Sequence, residues 1–397
     1  MSSLVDEFVA RGHKVTVITT VPHYNNNQIW PEYLGKLVHR ESSQKTEIYR
    51  LFTYVAKDKA NLVHRALAYG IFHVLSLLRM LILPRHDILL VPSPPLSNGV
   101  IANIVRRFRG TPFIYNVQDI WPDVIVRAGA VKNESAIRHL ERMENYVYRH
   151  AAHITVLSDG FRKNLLNKGV PSDKITVIPN FVDSDFITPQ LKDNTFSRQL
   201  GLQDKFIVLF AGNMGFSQGL ETVLDTAKML QANEKMEFLM VGNGAGRASA
   251  EEYLTTLQLH NVRFLPYQPR EMLPYLYGSA DVCVIPLRHG FAAESVPSKL
   301  FTIMGASKPA IAAVDRGSEI WRLLERTKAG ICVEPENPAS LAEAILHYYL
   351  SPDARRVAGE NGRKCVEREF CPKAIADRYL DVMHSLVDGE KPAFSNN

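Results

Sequence analysis

Short runs rich in β-branched and aliphatic residues alternate along this chain with stretches whose apolar positions recur at helical spacing. In the first half the runs are VTVITT at 15–20, DILLVP at 87–92, PFIYNV at 112–117 and HITVL at 153–157. The rhythm begins again with KFIVLFAG at 205–212, EFLMVGNG at 237–244, VRFLPY at 262–267, DVCVIPL at 281–287 and PAIAAV at 309–314. Strands separated by helical stretches predict a parallel sheet with helices on its faces. Two such series predict an α/β protein with two Rossmann-like, doubly wound parallel-sheet domains. Between them, TVIPNFVDSDFITP at 176–189 carries a proline near each end and no sustained helical period, which marks a junction. The expected organisation is an N-terminal domain over 1–189, a C-terminal domain over 190–370, a C-terminal helix over 371–388 that packs back toward the N-terminal domain, and a disordered tail over 389–397.

The N-terminus departs from this scheme. Leu4, Val5, Phe8 and Val9 make one apolar helix face, Gly12 ends the helix, and the strand at 15–20 follows. A doubly wound sheet opens with a strand that comes to lie centrally, and no run precedes this helix. The first strand is therefore expected to be missing: either the start lies upstream, or the sheet tolerates a gap. No signal-peptide pattern is read here, because Asp6 and Glu7 fall within the helical stretch. The segment LVHRALAYGIFHVLSLLRMLIL at 62–83 is the one membrane candidate, but Arg65 and Arg79 bracket only thirteen uncharged residues. A spanning helix needs about twenty. Two readings stay open for it: a core helix, or an interfacial helix with its basic residues toward lipid headgroups.

Composition narrows the function classes. The 397 residues are 46% hydrophobic and 22% charged, as in a soluble globular protein. The net charge of +5 is too dispersed for a nucleic-acid-binding stripe but suits an anionic substrate or an anionic membrane surface. Cys283, Cys332, Cys365 and Cys371 lack the paired spacing of a zinc site or disulfide framework and read as reduced cytoplasmic thiols.

Open α/β sheets bind ligands at the carboxyl ends of their strands, so the loops there carry the candidate chemistry. AGNMGFSQG at 211–219 offers Gly212, Asn213, Gly215 and Gly219, whose backbone N–H groups can approach a phosphate. VGNGAG at 241–246 offers Gly242 and Gly244 but lacks the full dinucleotide fingerprint, which leaves a nicotinamide dehydrogenase unsupported. In GFAAESVPSKLFTIMGASKPAIA at 290–312, Pro297 fits the first turn of a helix preceded by Ser295 or Val296, and Leu300, Phe301, Ile303 and Met304 form its buried face. That helix start, with Lys299, suits a diphosphate, and Glu294 is free to accept hydrogen bonds from hydroxyls. Taken singly, Glu294 also reads as an exposed loop acid and Lys299 as a surface cation. Two metal-like patterns, Asp183-Ser184-Asp185 and His150 with His153, are declined: the first lies at the junction and the second straddles a helix end and a strand. No catalytic metal is expected.

RGHKVTVIT at 11–19, VIPNFVD at 177–183, VGNG, ADVCVIP at 280–286 and ESVPSKLFTIMGASKP together resemble the retaining family-4 glycosyltransferases of GT-B fold. Within that family they are most similar to the WbuB-like transferases of O-antigen and colanic-acid-type exopolysaccharide synthesis. The resemblance covers nearly the whole chain. It implies two domains facing across a cleft, the N-terminal one binding an acceptor and the C-terminal one a nucleotide sugar, a UDP-sugar above all. The acceptor would be a glycan or polyprenyl-diphosphate-linked saccharide at the cytoplasmic face of the inner membrane, with peripheral membrane contact.

Carried over residue by residue, the resemblance sets Glu294 at the first of the family's two donor-site glutamates and Thr302 at the second. Val296, Ser298 and Lys299 fall in the same stretch, and Tyr267 and Gln268 near the base. The arginine and lysine common in the family's glycine-rich loop are replaced by Asn213 or Met214 and by Gln218, so Lys299 and Arg288 are the candidates to supply the missing charge. In IYNVQDIWPD at 114–123, Gln118 stands where histidine is usual and Asp119 matches the acid near the reacting sugar. PHYNNNQIWPEY at 22–33 would lie on the acceptor side. Two alternatives remain: a nucleotide-sugar 2-epimerase of the same fold, and a binding protein that has lost activity.

Overall fold

In the computed structural model, which describes residues 1–22, 29–43, 45–55, 62–127, 131, 133–291 and 298–389, the apolar face of the first residues buries Leu4 and Phe8 as helix α1 (Ser2–Ala10). Then follow β1 (Val15–Thr20), β2 (Val38–Ser43), β3 (Thr46–Leu51), α2 (Leu62–Ile82), β4 (Leu89–Pro92) and α3 (Ser97–Arg109). The series continues with β5 (Phe113–Val117), α4 (Asp123–Arg127), α5 (Glu134–His150), β6 (His153–Val156), α6 (Asp159–Asn167) and β7 (Ile175–Val177). These elements make the first of two compact units, which comprises Met1–Leu157, Arg162–Ile178 and the chain from Ala376 onward.

Its strands form two sheets rather than one. β1 pairs in parallel with β3, which pairs antiparallel with β2, while β4, β5, β6 and β7 lie in that order, all parallel. Among the described residues β1 and β4 have no strand between them, where a single doubly wound sheet would need one. Every residue of β5 is buried, whereas every residue of β1 keeps intermediate exposure, as expected for a strand with an open edge. The antiparallel β2–β3 hairpin is absent from the apolar runs because VHRESS alternates polar residues on an exposed strand.

The 62–83 segment is one helix, α2, whose packed face meets Tyr49, Leu51 and Leu83 through Phe72 and Leu75. Arg79 belongs to this packed face: its guanidinium lies 3.9 Å over the Tyr49 ring. No helix of the described residues is long and apolar enough to cross a membrane.

The second unit comprises Ser158–Phe161 and Pro179–Ile375. Its elements are α7 (Thr195–Leu200), β8 (Phe206–Asn213), α8 (Leu220–Leu230), β9 (Met236–Asn243), α9 (Arg247–Leu257), β10 (Val262–Leu265), α10 (Leu273–Ser279) and β11 (Val282–Pro286). They continue as α11 (Ser298–Gly305), β12 (Ala310–Ala313), α12 (Glu319–Thr327), β13 (Gly330–Val333), α13 (Pro338–Leu350) and α14 (Pro352–Glu369), after which α15 (Pro372–Asp388) rejoins the first unit. One parallel sheet of six strands runs in the order β10-β9-β8-β11-β12-β13.

Strand alternation divides the core of this unit in two. Ile207, Leu209, Leu239, Val241, Cys283 and Ile285 face one layer with Leu300, Phe301 and Met304 of α11. Phe206, Val208, Phe210, Phe238, Met240 and Val284 face the other, with Val223 and Leu224 of α8 and Leu341 and Ile345 of α13. Because both faces are covered, the strands read as continuous apolar runs, which is why they are legible in the sequence.

Candidate functional site

The strand order of the second unit reverses between β8 and β11, the position at which an open parallel sheet leaves a ligand-sized crevice beyond its carboxyl ends. Here the loops after these two strands are stitched together. Gln218 forms an antiparallel bridge with Leu287, Gly219 N donates to Pro286 O at 3.0 Å, and Arg288 N donates to Ser217 O at 3.0 Å. The loop after β9 joins them through Met214 N to Asn243 O at 2.9 Å and Gly246 N to Met214 O at 2.8 Å. Two of the three expected loops thus meet, together with the helical part of the third, on one edge of one sheet.

Glycine makes that meeting possible. Gly212 and Gly242 are register partners on β8 and β9, and a Cβ on Gly242 would sit 1.9 Å from Gly212 O. With φ at +146°, Gly242 also holds a backbone conformation that L side chains rarely adopt. Gly244 repeats the requirement one step on, its Cβ position lying 2.5 Å from Met214 O. Gly215, by contrast, would place a Cβ 3.1 Å from the Asn213 side chain, a milder crowding.

Lys299 enters this floor from the second residue of α11. Its Nζ donates to Gln218 Oε1 at 2.6 Å and lies 4.4 Å from the centroid of the fully buried Phe210 ring. The Gly212 Cβ position is 3.7 Å from the same Nζ, so the cation rests against the β8 turn. The residue as a whole keeps intermediate exposure, but its ammonium end is packed deeply enough that burial alone pulls it down to about 7. Ser298, exposed, opens the helix beside it.

Arg288 has a different fate. Its Nη2 donates to both carboxylate oxygens of Glu221 at 2.8 and 2.9 Å, its Nη1 lies 3.6 Å from Glu336, and its Nε donates to Phe216 O at 3.0 Å. Those bonds brace the loop, with the guanidinium 5.1 Å over the Phe216 ring. Of the two cations proposed to replace the absent arginine and lysine, only Lys299 is without a carboxylate partner among the described residues.

The description "Glycosyl transferase 4-like domain" matches residues 1–180 of this chain, and "Glycosyl transferases group 1" matches residues 192–365. The chain belongs to the family-4 glycosyltransferases. A protein of Escherichia coli K12 named for glycosyl transfer in colanic acid biosynthesis, WcaI, is 27% identical to this transferase over 92% of the chain and 91% of its own length. Among solved structures, sucrose-phosphate synthase from Thermosynechococcus elongatus superposes with a TM-score of 0.69 at 20% identity, covering 98% of this chain and 92% of that one. HepE of Anabaena, solved with UDP-glucose, gives 0.66 at 16% identity over 85% and 86%. At such identities these structures speak for the fold, which is GT-B.

Against that family, the remaining expected residues of the transferase fall in four groups. Thr302, at the second glutamate position, donates from Oγ1 back to Ser298 O within its own helix at 3.4 Å. Tyr267 and Gln268 lie just past β10, the former 56% exposed with its hydroxyl on Asn243 O at 3.2 Å, the latter bonded to Pro266 O at 2.9 Å. Tyr267 thus joins the same sheet edge. Asp119 belongs to the first unit, after β5; it is exposed by surface area, yet neighbouring protein crowds its carboxyl enough to hold it above the ordinary range. Its neighbour Gln118 donates its backbone N–H to Ser93 Oγ at 3.2 Å. Glu294 and Val296, with Ser295 and Pro297, lie outside the described residues, as do 23–28 of the PHYNNNQIWPEY segment.

The declined metal patterns have local roles. Asp183 Oδ1 accepts from Phe186 N at 3.1 Å, His150 Nδ1 is 2.8 Å from Tyr146 O, and His153 Nε2 is 2.8 Å from Thr176 Oγ1. Among the described residues no group of three or more His, Cys, Asp or Glu is arranged to hold a metal. Four participants escaped the sequence reading: Phe210, Glu221 and Glu336 received no role there, and Gln218 only that of a lost cation. Nothing in a linear pattern reports that Gln218 and Lys299, 81 residues apart, share a hydrogen bond.

Proposed function

We propose that the transferase moves a sugar, with retention, from a UDP-sugar to a glycan or polyprenyl-diphosphate-linked acceptor in cell-surface polysaccharide synthesis. The observation that carries this is the ammonium of Lys299 held against Gly212 where the strand order reverses. The HepE structures with UDP and UDP-glucose favour a uridine nucleotide, and the likeness to WcaI favours an exopolysaccharide product.

In this reading the diphosphate lies over Gly212, Gly215 and the start of α11, with the base toward Tyr267 and Gln268. Negative charge grows on the leaving diphosphate as the anomeric carbon takes on oxocarbenium character. A helix N-terminus and Lys299 stabilise that charge in surroundings that need little reorganisation. Glu294 fixes the donor sugar, Thr302 makes at most one hydroxyl contact, and Asp119 serves the acceptor side. With no second carboxylate assigned to a covalent intermediate, attack comes from the face of the departing phosphate, which preserves configuration.

The acceptor's lipid fits α2. Leu67, Val74, Leu78 and Ile82 form an exposed aliphatic stripe at helical spacing, Ile82 at 73% exposure, and Arg85, Arg107 and Phe108 are exposed at the ends of α2 and α3. Such a face suits peripheral contact with the cytoplasmic leaflet.

The test is transfer from a panel of UDP-sugars to lipid-linked acceptors, followed by mass spectrometry. Glu294→Ala is expected to lose transfer by at least about a hundredfold while its melting temperature is retained. Full activity in that variant removes Glu294 from the mechanism, and a panel without any product removes the transferase reaction proposed here.

A further inference from the structure

Gln218 and Lys299 meet only through folding, and each aims the other. The backbone of Gln218 is fixed by its bridge to Leu287 and by its N–H donating to Gly215 O at 3.0 Å. Its side-chain oxygen accepts from Lys299 Nζ at 2.6 Å, while its amide nitrogen makes only a 3.5 Å contact with Ser217 Oγ. The lysine therefore determines where this side chain points. In return the amide gives Nζ its one polar partner among the described residues, with the Phe210 ring face below it.

Among the described residues, the charged groups around the pair come from three places. β8 contributes Phe210 and Gly212, neither charged, and α11 carries no ionisable residue other than Lys299. The loop after β11 contributes Arg288, matched by Glu221 and Glu336, and His289, 2.5 Å from Asp315 after β12. Burial is what lowers the lysine. A carboxylate at position 218 would keep Lys299 charged, and a second cation would repel it. An amide oxygen accepts a hydrogen bond from either the ammonium or the neutral amine.

We propose that Gln218 is a positioning residue for Lys299, and that the pair makes donor binding proton-linked: a nucleoside diphosphate arriving over Gly212 draws one proton from solvent onto Lys299. This rests on the reading of this pocket as the diphosphate site. The sign follows from linkage. Donor affinity is constant below about pH 7, where the free enzyme's Lys299 is already protonated, and falls about tenfold per pH unit above it until the raised value of the complex is passed. Over that window close to one proton is taken up per donor bound.

Titration calorimetry with UDP-glucose at about pH 8, in two buffers of different ionisation enthalpy, counts the proton directly. The diphosphate of this probe carries no group that titrates nearby. The wild-type chain is expected to take up close to one proton per ligand. Gln218→Glu, which holds Lys299 charged beforehand, is expected to bind with little uptake and with its affinity break moved upward by about a pH unit or more. Gln218→Met keeps the uptake with weaker binding, because Nζ loses its guide, and Lys299→Met shows none. Wild-type binding without uptake overturns the proposal, as does Gln218→Glu binding with wild-type uptake. No binding of UDP-glucose or UDP at any pH instead overturns the diphosphate-site reading beneath it.

Discussion

The two units are built from the same strand-and-helix vocabulary, yet they differ at the middle of their sheets. In the second unit β8 and β11 are neighbours, each with a further strand beyond it, and their carboxyl-end loops are tied by bridges and close glycine contacts. In the first unit β1 and β4 each have an open edge among the described residues, and His86 Nε2 lies 2.9 Å from Thr16 Oγ1 across that gap. A continuous parallel sheet can hold several loops in fixed register, which a charge-stabilising pocket requires. An interrupted one holds its loops less tightly. Under the proposed function, precise positioning of the diphosphate therefore belongs to the second unit.

The sharpest way to break this contrast is to push β8 and β9 apart. Gly242→Ala puts a methyl group into the Gly212 carbonyl and strains a left-handed backbone. It is expected to cost about 3 kcal/mol or more in unfolding experiments and to weaken UDP binding in step. A variant with unchanged stability contradicts the close packing of this edge.

Next in size is a difference in pH response. His153 in β6 of the first unit is buried and pushed down to about 4 from its ordinary 6.5, by burial first and then by Lys174. A depressed histidine is neutral in the fold, so the stability it contributes is present above pH 6.5 and is lost as pH falls toward 4. Lys299, lowered from 10.5 to about 7, weakens the second unit in a different window, as pH falls from 10.5 to 7. Hydrogen exchange followed across pH should therefore show acid loosening first in β5 and β6, by up to on the order of 2 to 3 kcal/mol. His153→Gln is expected to flatten that response, and an unchanged acid response in this variant assigns it to other groups.

The smallest difference lies in two helix caps. Asn133 accepts from Ser135 N and Ala136 N at the exposed start of α5. Asn194 caps α7 in the same way and also donates to Leu191 O, Tyr275 O and Ser279 Oγ in a buried setting. Replacement by alanine is expected to cost about 1 kcal/mol at Asn133 and about 2 at Asn194, where partners are left unsatisfied. Equal losses in thermal unfolding would remove the distinction.

The same contrast explains what could be read from the chain. Strands buried on both faces, such as FIVLFAG in β8, are apolar throughout and stand out in the sequence. The β2–β3 hairpin, with VHRESS on a solvent-facing edge, does not. That α1 leads into β1 was legible, but the division of the strands into two separate sheets needed the pairing. Lys299 became a candidate because a proline beside a lysine at an expected helix start is a local pattern. Its partner Gln218, the Phe210 face beneath it and the diversion of Arg288 to Glu221 depend on register between strands far apart in sequence. The Arg79 contact was hidden for a related reason: helix spacing gives its angle on α2, but not that Tyr49 lies beneath it.

Whether the nucleotide is held at the β8–β11 edge of the second unit is read out by a hydrogen-exchange footprint of UDP on the wild-type chain. Slowed exchange is expected in 212–219, 242–246 and 298–302, with loss of that protection in Lys299→Met. Saturating UDP that leaves these three segments unchanged, while protecting others, would contradict it.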